Sequence, residues 1–115
     1  MTPRPIVENI VRQHAEMAAF LWTVYDGHLL NPDKNPDMDE ESLAALVERL
    51  EAHLDGLRIA GEDGKRIADE RYAEFPEAGE LFVVRMLMPE ARELRVGNLD
   101  LGKVRTYLKG SLTPQ

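Results

Sequence analysis

Leu43, Leu46, Val47, Leu50, Leu54 and Leu57 recur at intervals of three and four residues, with Glu48, Arg49 and Glu51 set between them. An α-helix puts that set on one side, because its turn of 3.6 residues brings i, i+3, i+4 and i+7 into one stripe. A stripe of this length has to be covered, so the chain must supply other apolar helices to lie against it. The run Asp39-Glu40-Glu41 places acids where the positive end of the helix dipole falls, and Ala60-Gly61 offers a left-handed stop.

Four other segments show the same period. A first helix is predicted from the Pro5 region to about Tyr25, with Ile6, Val7, Ile10, Met17, Phe20, Leu21 and Val24 inward and Asp26-Gly27 as its end. Its second half is apolar nearly all round, which places it at the centre of a bundle. The prolines, asparagines and acids between Asn31 and Glu41 make a loop. After the connection Gly61-Glu62-Asp63-Gly64 a third helix turns Ile67, Ala68, Tyr72 and Phe75 inward, and Pro76 breaks it. A fourth runs from about Glu77 to Met88, burying Leu81, Phe82, Val84, Met86 and Leu87, and Pro89 ends it. A short turn near Glu90 to Leu94 and a last helix from about Asn98 to Lys109, with Leu101, Val104, Tyr107 and Leu108 inward, complete the chain. The expected fold is all-α. Four to five helices form antiparallel hairpins, either HEAT-like or a small helical bundle, with the second and fourth packing on the first.

Composition narrows the function. Only 6% of the 115 residues are aromatic while 43% are hydrophobic, so the core is aliphatic, and the length suits one domain spanning residues 1–115. A net charge of −7 repels a phosphate backbone, which argues against a nucleic-acid partner. Arg92, Arg95, Lys103, Arg105 and Lys109 are spread thinly and read as solvated surface. Without cysteine there is no disulfide, zinc–thiolate site or thiol nucleophile. No long uncharged apolar run marks a membrane span or signal peptide, so a cytoplasmic location is the expectation.

No constellation of catalytic residues stands out. Ser42 and Ser111 are the only serines and neither has an adjacent base, so the chain reads as a non-enzyme with no cofactor. His14, His28 and His53 lack metal-ligand spacing, and no metal is assigned to them. Asp33, Asn35, Asp37, Asp39 and Glu41 alternate as calcium ligands do, but Met38 stands where the loop needs glycine and Ala44 where it needs a bidentate glutamate. Both departures set the acidic loop 31–41 against a cation site. The residues left as candidates for binding a partner are Trp22, Tyr25, His28, His53 and Asp55. Aromatic residues are frequent hot spots, although such residues are more often part of the core or its rim, which is the favoured reading of Trp22 and Tyr25. His53 and Asp55, two apart, project to different faces of a helix. Gly56 in mid-helix is poor for propensity and suits a close approach between helices.

The stretch Leu50-Glu51-Ala52-His53-Leu54-Asp55-Gly56-Leu57-Arg58-Ile59-Ala60-Gly61 resembles the signature of a bacterial family whose members carry an Ala-His-Leu-Asp-Gly-Leu helix. Two further stretches are similar to that family's amino-terminal region: Ile10 to Glu16 with Phe20-Leu21-Trp22, and Gly79-Glu80-Leu81-Phe82. They keep the family's order over roughly the first 88 residues; Lys65 stands where a large aromatic residue is expected, and the match fades after Pro89. The family often continues into HEAT-like repeats and is linked to type VI secretion gene clusters. The resemblance therefore implies an adaptor, chaperone or immunity-type protein with an effector, a spike protein or a related component as partner. It also admits an amino-terminal cap of a helical-repeat scaffold. The residues themselves leave open a small metal- or ligand-binding protein using His14, His28 or the acidic loop. No catalytic residues are established for the family, so none carries over.

Overall fold

A computed structural model describes residues 5–30, 38–91, 95 and 96. The chain is all-α, a small helical bundle whose described residues contain four helices and no strand. They are α1 (Pro5–Leu30), α2 (Glu40–Ile59), α3 (Glu62–Glu74) and α4 (Ala78–Met86), followed by a single 3-10 turn at Pro89–Ala91. α1 is the central element and touches the other three, with α2 and α4 packed on it as expected.

α2 is the helix its leucines foretell. Asp39 caps it, its carboxylate accepting from the Ser42 N–H at 2.7 Å. Leu46, Leu50, Leu54 and Leu57 are buried, and Leu43 and Val47 lie at the edge of the core. Ala60 ends the helix, and Gly61 takes a φ of +63° that a Cβ would oppose. The next helix begins at once at Glu62, so Gly64 lies inside α3 and the predicted four-residue connection shrinks to Ala60 and Gly61.

α1 departs from its reading in two ways. It passes through Asp26-Gly27 and continues to Leu30. One glycine costs about 1 kcal/mol in a helix, too little to stop one whose previous turn is docked by Trp22 and Tyr25. The buried face is also rotated from the predicted one. Ile10 and Phe20 are 48% and 60% exposed, while Val11, Ala15, Ala18, Ala19, Leu21, Trp22 and Tyr25 are buried. A helix contacted by three others needs small residues where backbones approach, and alanine supplies them. Gly79 of α4 rests here: a Cβ on it would lie 2.5 Å from the Ala19 carbonyl oxygen and 2.7 Å from Thr23 Oγ1.

Side-chain contacts join the helices. His14 of α1 meets His53, late in α2. Glu8 pairs with Arg66 and Glu16 with Arg71, so α3 runs parallel to α1. α4 starts with Gly79 beside Ala19 of α1 and ends with the Met86 carbonyl accepting from Arg58 of α2 at 3.3 Å. Trp22 and Phe82 stack at the centre with ring centroids 4.1 Å apart, and Tyr25 meets the indole edge-on. α4 is shorter than its reading by about a turn: Leu81, Phe82, Val83 and Met86 are buried, and Val84 and Leu87 only partly. Phe75, expected inward, caps the end of α3 at 38% exposure beneath the Arg71 guanidinium, 4.1 Å from its ring centre. The predicted last helix and the loop 31–37 lie outside the described residues.

Candidate functional site

The first of the three stretches quoted above meets the other two. His14 of the first reaches His53 of the second, Nδ1 to Nδ1 at 2.9 Å, with the rings tilted and 5.2 Å apart. Gly56 makes this possible, because a Cβ there would lie 2.7 Å from the His14 ring. The glycine that looked out of place on propensity is the floor beneath an imidazole. Burial holds the His53 pKa below its ordinary value, and the nearby His14 and Arg49 act in the same direction.

Trp22 and Phe82 join the first stretch to the third. So does a charged bridge: Arg71 on α3 reaches Glu16 at 3.4 Å and Glu80 at 3.3 Å. Glu80 is the one charged side chain among the described residues to be buried, at 7% exposure. The sequence reading passed over it, since a glutamate in an apolar helix shows its partner only once α3 and α4 are folded together.

The five candidate partner residues fare differently. Trp22 and Tyr25 are 2% and 8% exposed and belong to the core, leaving them little surface to offer. Burial also raises the Tyr25 phenol above its ordinary pKa. His53 is half-buried against His14. Asp55 is occupied within the chain, by Arg58 at 3.2 Å and Arg95 at 2.8 Å. Arg95 also pairs with Glu51, whose other oxygen accepts from the Val96 N–H. Glu51 and Asp55 thus fasten the returning chain onto α2, and Val96 is buried there. His28 is half-buried in the last turn of α1, and its Nδ1 has no hydrogen-bond partner among the described residues.

The imagined histidine trio is not assembled. His28 lies fourteen residues, or about 21 Å of helix, from His14. Among the described residues no group of three or more His, Cys, Asp or Glu side chains is placed to hold a metal ion. Nor is any helix there long and apolar enough to cross a membrane.

A groove opens between the carboxyl-terminal ends of α2 and α4. Its volume is about 510 Å³; Leu57, Met86, Leu87, Met88 and Pro89 form an apolar floor, with Arg58, Glu62 and Lys65 around them. The same last turn of α2 carries Ile59, 86% exposed and the barest large apolar side chain described. The sequence reading missed Ile59 as a site, although one signal was available. It follows Leu57 by two residues and so falls off the leucine stripe, with no core to fill.

Compared with models of protein families, with curated proteins and with solved structures, the chain matches none of them. The functional reading accordingly rests on these residues.

Proposed function

We propose that this chain is a non-enzymatic protein-interaction module whose docking surface is the end of the bundle formed by Ile59 and the α2–α4 groove. The observation that carries the reading is Ile59, 86% exposed in the last turn of α2. Fully burying such a side chain is worth about 1.5–3 kcal/mol, which water withholds until a partner covers it. The groove at the same end of the bundle has an apolar floor and two cations, Arg58 and Lys65, against one anion, Glu62. Arg58 is already bonded to Asp55 and to the Met86 carbonyl, which leaves Lys65 as the cation facing outward. The complementary ligand is an apolar side chain flanked by a carboxylate.

The resemblance gives this module a setting, as an adaptor, chaperone or immunity-type protein of a type VI secretion system. The test is size-exclusion chromatography of the purified chain mixed in turn with each product of its flanking genes. One product is expected to co-elute, and Ile59→Asp should weaken that complex at least tenfold while leaving the melting temperature unchanged. Co-elution with none of them, or equal binding by Ile59→Asp, would sink the reading.

The half-buried Leu87 and Met88 support one alternative, the amino-terminal cap of a helical-repeat array. A following helix pair laid across the groove would remove both from water. In that case a longer reading frame protects the groove amides from exchange, and no flanking product binds.

A further inference from the structure

Two imidazoles meet across the α1–α2 seam with their Nδ1 atoms 2.9 Å apart. A hydrogen bond between two such nitrogens needs a proton on one and a lone pair on the other. One extra proton on the donor ring is tolerated, since it makes that bond charge-assisted. A proton on the acceptor ring is not. It sets two N–H groups against each other and two cations at a ring separation of 5.2 Å.

Among the described residues no anion offsets that charge. The residues three and four positions from His14 on α1 are all apolar, and those around His53 on α2 include one charge, the cation Arg49. Of the charged side chains of α3, Arg66 and Glu70 pair with Glu8 and Arg12, and Arg71 with Glu16, while Glu62, Asp63, Lys65, Asp69 and Glu74 are exposed. From α4, Glu80 goes to Arg71. Among the described residues no ion pair includes either histidine.

We propose that His14 and His53 form a proton-operated latch on the α1–α2 seam, closed while the pair holds no more than one proton and loosened by the second. Loosening bares the leucines of α2 that the seam covers, Leu50 and Leu54, both fully buried in the closed form. The direction follows from linkage. As pH falls below the ordinary imidazole value of 6.5, the opened chain is free to protonate both rings, whereas the closed pair has room for only one proton. The opening constant therefore rises as pH falls, by about tenfold per unit for one extra proton, until the closed pair itself accepts the second. The depression of the His53 pKa runs in the same direction.

Imidazole NMR on the whole chain from about pH 8 to about pH 5 tests this, run beside urea unfolding over the same range. One ring of the pair is expected to titrate while the other stays neutral well below 6.5, and the urea midpoint should fall as pH drops through that value. His53→Gln removes one titrating ring and keeps a hydrogen-bonding side chain, so it should flatten the fall. His28 is present in both proteins and cancels. Independent protonation of both rings near 6.5 with no loss of midpoint would overturn the latch, as would the same pH slope in His53→Gln. Should that variant not fold, the titration of the unaltered chain decides alone.

Discussion

The indole of Trp22 lies flat on the ring of Phe82, with their planes 5° apart and both side chains almost wholly buried. This contact joins α1 to the middle of α4. Replacing either residue with alanine is expected to cost about 3–5 kcal/mol, as for other large core aromatics. A double-mutant cycle by urea unfolding should return a coupling of about 0.5–1.5 kcal/mol beyond the lost area. Strict additivity would mean that the stacking contributes nothing of its own.

Gly27 and Gly79 should respond to alanine in opposite directions. Nothing lies within 4 Å of a Cβ on Gly27, which sits exposed in a helix, so Gly27→Ala is expected to stabilise, by about 0.5–1 kcal/mol. A Cβ on Gly79 would strike the Ala19 carbonyl, a backbone atom that moves only if α1 and α4 separate. Gly79→Ala should destabilise by about 1–3 kcal/mol despite the better propensity. Thermal melts of the two variants check the pair, and a shared sign would contradict the observed close approach.

Glu80 is expected to matter through its charge. Glu80→Gln keeps the shape of the side chain but leaves Arg71 with only the more exposed Glu16. A loss of about 1–3 kcal/mol is expected, the range for a hydrogen bond to a charged group. Urea unfolding of Glu80→Gln and of Glu16→Gln should rank the first as the more damaging.

Asp39 carries an acid-dependent cap. The Ser42 backbone N–H, its largest influence, holds the Asp39 pKa below the ordinary 3.8. A depressed carboxyl stabilises fully above its unfolded value, and that contribution disappears as pH falls through the folded one. The α2 cap is thus complete at neutral pH and lost below 3.8. Asp39→Asn should keep a cap that no longer depends on acid, and Asp39→Ala should lack it at every pH. Circular dichroism between about pH 7 and about pH 2 separates the three proteins.

What the sequence shows plainly is what repeats along one helix. The α2 stripe, its acidic start and its glycine stop could be read in full, because each depends on residues a few positions apart. The inward face of α1 could not. Hydrophobic size pointed to Ile10 and Phe20, whereas the close approach of three neighbours selects Ala15, Ala18 and Ala19. The His14–His53 contact spans thirty-nine positions and left one local trace, the ill-placed Gly56. Asp55 reads as a candidate for a partner, yet Arg95, forty residues on, pairs with it. The groove needed α4 to come to rest beside α2 before Leu57 and Leu87 shared a surface.

Trp22, Phe82 and the leucines Leu50, Leu54 and Leu57 join α1, α2 and α4 in one core, and the proposed partner surface is at Ile59, at the end of α2. Native-state hydrogen exchange tests that core most directly. The slowest amides should fall in residues 18–25 of α1, 50–57 of α2 and 81–86 of α4, and all three groups should exchange with one free energy equal to that of global unfolding. Exchange of any one of these groups as fast as the exposed carboxyl-terminal end of α3 would contradict the claim.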